Sequence, residues 1–388
     1  MATRTALGDT ATAKPARRPL ILRSAISQRR WRAFNGNRRA KWSLWIFLSL
    51  FAFTLLAEVV VNDKPIVVSY NGELLFPAFV TYPESKFGGF LAVTDYRKPF
   101  IQREINENGW MLWPAIRYAN NTFDRNLPTS NPSPPSWTMS KEERCRNFPG
   151  GVDDPNCTIG NFHWLGTDDQ GRDVLSRVIY GFRISVIFGF LLTISSSVIG
   201  IIVGAVQGYF GGWVDLIGQR LLELWGSIPT LYIIIIVFSF IYPSFWTVLI
   251  VMLVFSWAGL TGVVRAEFLR ARNFEYVAAA RALGISNIGI MFRHLLPNAM
   301  VATLTFMPFI LAGSVGTLAS LDFLGYGLPA GSASLGEMVL QAKDNIWALW
   351  LGFTAFFSIA IMLTLLIFIG EGVRDAFDPR KTFGGSRA

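Results

Sequence analysis

The stretch EYVAAARALGISNIGIMFRHLLPN, residues 275–298, lies between two long apolar runs, and its reading decides the fold. Residues 276–283 are Ala-rich with Arg281 among them, a composition of high helix propensity. Gly284 stops that helix, because glycine readily takes the left-handed conformation that closes one. Ser286 is placed to cap a second helix over residues 287–295, and Pro297 sets the entry to the next apolar run. A plain helical loop shares these features. Charge separates the two readings: Arg265, Arg270, Arg272, Arg281 and Arg293 put the segment on the cytoplasmic side of a membrane. A short, stiff helical element held outside a membrane between two spans is what a protein needs to receive a mechanical push.

The composition agrees. A soluble chain of 388 residues would hold two or three domains, but here 52% of residues are apolar and they fall in long blocks. Several runs near 20 residues are each long enough to cross roughly 30 Å of hydrocarbon. The net charge of +9 comes mainly from the region before the first run, where residues 4–41 contain one acid, Asp9. That distribution fits cytoplasmic retention and contact with anionic lipid, and argues against nucleic acid.

Residues 1–19 are polar and basic and read as disordered. Over residues 20–34, Leu22, Ile26, Trp31 and Phe34 recur at helical spacing among Arg23, Arg29, Arg30 and Arg32, the pattern of a basic interfacial helix; an unstructured tail is the alternative. Residues 1–41 are thus a cytoplasmic tail. Residues 42–61 form the first span, not a cleaved signal, since the preceding basic region is too long and no small-x-small site follows. Residues 62–165 change character and read as an inserted extracytoplasmic domain of mostly strands and loops. Its strands are expected at 66–70 and 73–80, with turns at Asn71-Gly72 and Gly88-Gly89 and an exposed linker at 131–135. Cys145 and Cys157 both fall there, and an oxidising compartment favours a disulfide worth roughly 2–3 kcal/mol. A metal pair helped by His163 lacks further ligands nearby. Trp110 and Trp113 either dock a delivery protein or pack the domain.

The block HWLGTDDQGRDVLSRVIYGFRISVIFG, residues 163–189, is the second informative stretch. Residues 166–183 read as an interfacial segment whose helix over 173–182 leads into span two, with Arg172, Arg177 and Arg183 reaching lipid head groups. Asp168 and Asp169 read as turn and cap residues, because no histidine, serine or metal cluster completes a site around them. Residues 184–370 then hold spans two to six. Span two (184–208) carries Gly200, Gly204 and Gly208 at four-residue spacing, letting another helix approach closely. Ser195, Ser196 and Ser197 either hydrogen-bond within the bundle or line a polar path. Span three (216–241) pairs Arg220 with Glu223 and is kinked at Pro229. Span four is 246–264, span five 299–321 with Pro308, Gly313 and Gly316, and span six 346–370. A Gly- and Ser-rich outer loop covers 322–345, and a charged tail starts at Glu371. Six crossings leave both termini cytoplasmic.

There is no Gly-x-x-x-x-Gly-Lys-Ser/Thr loop for nucleotide, no nucleophile elbow, and only two histidines, so the chain does not read as an enzyme. Charged residues cluster at span ends rather than mid-membrane, unlike an ion-coupled carrier. What remains is a passive pathway opened by a partner ATPase; an ATP-independent channel or scaffold is the alternative.

The central stretch resembles the cytoplasmic loop of ABC-importer permeases: Glu-Ala-Ala, three residues, Gly, nine residues, Ile, any residue, Leu-Pro. Ala279, Ala280, Gly284, Leu296 and Pro297 match at that spacing. Ala278 and His294 stand where the family has Glu and Ile, with Glu275 three positions earlier as a substitute. The block GTDDQGRDVLSRVIYGFRIS is similar to the oligopeptide/dipeptide subgroup. The resemblance implies an all-α polytopic protein of six transmembrane helices, the ABC type I importer permease fold, in a bacterial inner membrane. It implies a second homologous permease subunit, two ATP-binding subunits holding ATP and Mg, and a periplasmic binding protein that delivers peptides, microcin C-like peptides among them. Another small solute such as nickel is the alternative cargo. No cofactor or metal is expected in this chain. The ATPase-coupling residues implied are Glu275, Tyr276, Ala279, Ala280, Arg281, Gly284, Leu296 and Pro297.

Overall fold

The computed structural model describes residues 25–147, 151–153, 157 and 162–378. The expected disorder of residues 1–19 lies outside the described residues, as do the start of the interfacial helix and the end of the tail. The basic segment forms α1, Ala25–Gly36, and α2, Arg38–Leu55, follows at once. Asn37 separates them: its side chain accepts from the Ala40 amide at 3.3 Å and caps α2.

Among the described residues, four helices are long and apolar enough to cross a membrane: Val174–Phe210, Phe245–Ala271, Asn287–Phe323 and Leu349–Phe377. Gly212–Ser227 and Thr230–Phe240 make a fifth if that pair, bent by 69°, is one broken span. Helix α2, the expected first span, carries Arg38, Arg39 and Lys41 in its first turn and is not among them. Pro229 does more than kink span three. It cannot donate a helical hydrogen bond and its ring crowds the preceding turn, so the chain breaks there.

Between α2 and the long helices lies a three-stranded antiparallel sheet in the order β2-β1-β3, with β1 Val67–Tyr70, β2 Glu73–Leu75 and β3 Gly109–Leu112. Asn71 and Gly72, at φ 49° and 82°, form the two-residue turn between β1 and β2, a conformation that suits Asn-Gly. Strand β2 stops at Leu75 instead of running on to residue 80; Pro77 cannot donate to a ladder. Sequence patterning missed β3 and the helix before it, α3, Pro99–Asn108. Ile101 and Ile105 of α3 pack with Val68, Phe87 and Tyr96 as a small separate core. Cys145 and Cys157 are joined in a disulfide, Cα atoms 5.7 Å apart. The 131–135 segment is not an exposed linker: Pro132, Ser133 and Pro135 are buried. Ser133 donates its amide to Thr167 Oγ1 and accepts from the Thr167 amide, both at 2.8 Å.

The long helices are α4 (Val174–Phe210), α5 (Gly212–Ser227), α6 (Thr230–Phe240), α7 (Phe245–Ser256), α8 (Ala258–Ala271), α9 (Glu275–Ala282), α10 (Leu296–Phe323), α11 (Leu335–Asp344) and α12 (Leu349–Phe377). The main core joins α2, α4, α10, α11 and α12 through Phe47, Val186, Leu311, Val315, Met338 and Leu351. One expectation needs correction. The outer loop contains α11, whose Leu335 and Met338 bury one face although glycine and serine dominate the surrounding sequence. The last helix runs beyond the expected span end at 370, to Phe377, and takes in Glu371, Arg374 and Asp375 of the charged tail.

Candidate functional site

Helix α4 runs unbroken for 37 residues and each end meets a distinctive cluster. At its C-terminal end, α9 and the chain after it form a knuckle. Val277 and Ala280 face inward, three apart on one helical face, and pack with Ala205, Tyr209, Phe268, Ile290, Met291 and Leu295. Glu275, Tyr276, Ala279 and Arg281 face outward. Gly284, at φ +74°, closes α9. Its amide donates to Arg281 O and that of Ile285 to Ala280 O, the paired closure of a Schellman motif.

Ser286 then caps the next segment, accepting from the Gly289 amide at 3.2 Å. The expected helix over 287–295 is a short α-helical turn, Asn287–Gly289, followed by a π-helical stretch, Ile290–Leu295, that flows into α10. Pro297 therefore does not delimit the knuckle. It sits in the first turn of α10, where a missing amide is tolerated. Leu296 is half-buried against the inward core, while Pro297 is exposed. His294 is half-buried, and its Nε2 has no hydrogen-bond partner among the described residues.

Tyr209, in the last turn of α4, ties the knuckle down. Its hydroxyl donates to Asn287 Oδ1 at 2.7 Å, and the Arg281 guanidinium lies 5.4 Å above its ring. Asn298 donates to the Tyr276 hydroxyl at 3.2 Å, and Arg265 grips Asp215 with both ends of its fork. On this rigid base the surface is apolar: Leu283 is 80% and Ile288 70% exposed, with Phe274 and Phe292 exposed beside them. Sequence reasoning did not single these residues out; the signal was four large apolar side chains interleaved with cations.

The glycine stripe of α4 lies against α8. A Cβ on Gly204 would stand 2.6 Å from Thr261 O, and one on Gly208 2.6 Å from Arg265 O, so the two backbones meet where no side chain intervenes. Ser196 donates to Thr193 O at 3.3 Å, Ser197 Oγ is buried without a partner, and Ser195 is half-buried.

At the other end of α4 the charges close on each other. Asp173 caps the helix, accepting from the Ser176 amide at 2.7 Å, and its second oxygen meets His163 Nδ1 at 2.8 Å. His163 Nε2 lies 3.2 Å from Asp124, which accepts from the Tyr118 hydroxyl at 3.0 Å. Burial opposes charge on His163, but its hydrogen bonds to the two carboxylates outweigh that and raise its pKa. Burial likewise pushes Asp124 up, and the His163 contact outweighs it, leaving the carboxyl below its usual range.

Beside this triad, Arg172 Nε donates to Asp168 at 2.7 Å and Arg177 Nε lies 3.4 Å from the same oxygen. Both arginines also reach Glu337 of α11, at 3.3 and 3.1 Å. Arg172 and Arg177 are fully buried, so these two do not extend to lipid head groups as expected, whereas Arg183 is partly exposed and pairs with Glu58 at 2.8 Å. Asp168 is likewise more than a turn residue: it anchors both guanidiniums. Among the described residues, no group of three His, Cys, Asp or Glu is placed to hold a metal ion.

A polytopic helical membrane protein whose helix α4 ends in a closed charged joint at one end and an open apolar knuckle at the other is the class this geometry defines. Residues 196–383 match the family model described as binding-protein-dependent transport system inner membrane component. The chain is 62% identical over 360 residues to the peptidoglycan transport system permease protein YejE of Agrobacterium fabrum, covering 93% of this chain and 94% of the relative. It is 52% identical over 359 residues to the inner membrane ABC transporter permease protein YejE of Escherichia coli, covering 92% and 98%. With the oligopeptide transport system permease protein OppC of Lactococcus lactis subsp. lactis it shares 37% identity over 231 residues, 58% of this chain and 77% of the relative. The chain belongs to the family of ABC-transporter inner-membrane permeases, and within it to the YejE type. It is a multi-pass inner-membrane protein.

Proposed function

We propose that the chain is a peptide-conducting permease subunit of an ABC importer, opened by ATPase subunits that grip the knuckle. One observation carries the coupling reading: exposed Leu283, Ile288 and Phe274 crown an element whose inner face is fixed to the end of α4. A partner pushing there would move α4 rather than deform a loop. Glu275, Tyr276, Ala279 and Arg281 supply the polar outer face, Ala280 and Leu296 the inner anchorage, and Gly284 the corner.

The peptide reading is supported by the relatives, whose names specify peptidoglycan and oligopeptide transport. Fragments of cell-wall peptide and microcin C-like peptides share that chemistry. In this reading α2 is the first of six crossings, both termini face the cytoplasm, and residues 62–165 face the periplasm. A second permease, two ATP-binding subunits holding ATP and Mg, and a periplasmic binding protein complete the machine. Hydrolysis then resides in the partners, and this chain is non-catalytic.

Ala279→Pro tests the lever. Proline in mid-helix costs about 3 kcal/mol and cuts the hydrogen-bond ladder of α9. We expect peptide uptake to be lost while the chain still inserts in the membrane, read by transport of a labelled peptide and by membrane fractionation. Normal uptake in that variant would remove the coupling role.

A further inference from the structure

The segment between α2 and α4 encloses a cleft of about 530 Å³ lined by Arg97, Lys98, Trp113, Arg117, Phe123 and Arg125 among others. That volume is within the roughly 300–1,000 Å³ usual for small-ligand sites. Its cations are not equivalent. Lys98 is committed to Glu84 at 2.8 Å, and Arg97 lies 4.0 Å from Asp124 and 4.4 Å over the Tyr118 ring. Arg117 has no carboxylate within ion-pair distance among the described residues; it is half-buried, 5.0 Å from the centre of the Trp113 ring.

The acids in the wall make their closest contacts elsewhere than to Arg117. Asp124 is held by His163, Tyr118 and the Asn126 amide, Asp95 accepts from the Arg97 amide at 3.1 Å, and Asp63 accepts from the Thr122 hydroxyl at 2.8 Å. Burial first, and then the Arg97 charge, push Arg117 below the usual arginine range. A guanidinium half removed from water, repelled by a like charge and flattened on an aromatic face, keeps its fork of donors for something else.

We propose that this cleft binds a small carboxylate, the free C-terminus of a short peptide, with the carboxylate forked on Arg117 and the terminal side chain between Trp113 and Phe123. The planar fork matches a carboxylate bidentately, which a point charge such as Lys98 would not do. The volume suits a short free end, whose carboxylate and last side chain it can hold together. The occupant also sits near Asp124, one of whose contacts is His163, itself bonded to the Asp173 cap of α4. The proposal takes from the peptide reading only the choice of probe, and binding is measured without transport or hydrolysis, so its failure is separate from failure of the coupling reading.

The test is equilibrium dialysis of the full chain in lipid nanodiscs against radiolabelled N-acetyl-Ala-Phe and its C-terminal amide. We expect the acid to bind and the amide to bind at least about ten-fold more weakly, the difference a lost charged fork would make. Arg117→Gln should weaken the acid at least about ten-fold, with Arg117→Lys intermediate. Equal binding of acid and amide, no binding of the acid, or unchanged binding by a folded Arg117→Gln would each overturn the proposal. If Arg117→Gln does not fold, the acid–amide comparison on the unaltered chain decides alone.

Discussion

The two ends of α4 are built on opposite principles. At the N-terminal end, Arg172, Arg177, Asp168 and Glu337 are turned inward and answer each other, and His163 bridges two further carboxylates. At the C-terminal end, Val277 and Ala280 are packed, but Leu283 and Ile288 are left in the open. Buried charges that satisfy each other form a finished joint, which has no need of a partner. Apolar side chains held out on a rigid base form an unfinished one. The helix between them, at about 1.5 Å per residue, is on the order of 55 Å long. A helix fixed at its head and carrying an exposed apolar surface at its tail has the geometry the proposed lever needs, and the contrast can be broken at either end.

The largest effect is expected at the joint. Arg177→Ala removes one of two cations from a buried set and leaves Glu337 with one of its two cationic partners. Breaking a buried pair by deleting one member costs about 3–5 kcal/mol, because the survivor stays desolvated and uncompensated. The variant should show a strongly lowered thermal unfolding midpoint in detergent and reduced accumulation in membranes. A midpoint equal to that of the unaltered chain would show that the joint is not what holds the head of α4.

This joint also marks where sequence reading stops. Arg177 and Glu337 are 160 positions apart, and nothing local to either announces the other. Glu337 lies on α11, hidden in a Gly- and Ser-rich stretch that reads as loop because its helical face is only ten residues long. Without Glu337, two arginines at the head of a span look as if they face lipid head groups. His163 had the same fate: Asp173 is ten positions away, but Asp124 is 39 away, and the triad exists only once the segments fold together. By contrast α9, its Gly284 corner and the Ser286 cap were legible, and a bend at Pro229 was too, though not its extent, because each depends on residues within one or two turns. The apolar residues of the knuckle were visible as residues but not as surface. Exposure is a property of what packs on them, and sequence does not give that.

A smaller effect is expected from His163, and it sharpens the contrast through pH. The charged groups facing the imidazole are Asp124 and Asp173, with Arg97 behind Asp124 and the Tyr118 ring centred 4.2 Å away at a tilt of 30°. His163 has a raised folded pKa, so its contribution is complete below the ordinary value of 6.5 and is lost as pH climbs through the raised one. Asp124 is lowered, so its contribution is complete above the ordinary 3.8 and is lost as pH falls through the lowered value. The joint should therefore be firmest between these ranges and loosen on the alkaline side. His163→Gln should cost about 1.5–3 kcal/mol, the usual worth of hydrogen bonds to charged groups, and flatten that alkaline decline. The measurement is the unfolding midpoint across about pH 5 to 9; an unchanged slope in the variant would assign the decline to other groups.

The smallest effect on the fold is expected at the knuckle, and it is the most informative. Leu283 is 80% exposed, so Leu283→Gln takes almost nothing out of the core and keeps a residue of similar length and good helix propensity. Its amide still closes α9 on Ala279 O, because the side chain plays no part in that bond. Stability should change by no more than about 0.5 kcal/mol, the usual range for an exposed substitution. If the knuckle is where a partner docks, the same change removes an apolar anchor from the middle of an interface, and anchors of that kind carry about 2 kcal/mol or more. Co-purification with ATP-binding subunits should then weaken by at least about ten-fold, while the unfolding midpoint stays in place. The charged joint at the head of α4 is expected to behave differently: there, a change should reach the fold before it reaches function. Loss of both together in Leu283→Gln would mean that the knuckle is closed by its own chain, and intact capture would mean that Leu283 faces lipid or water and the grip lies elsewhere.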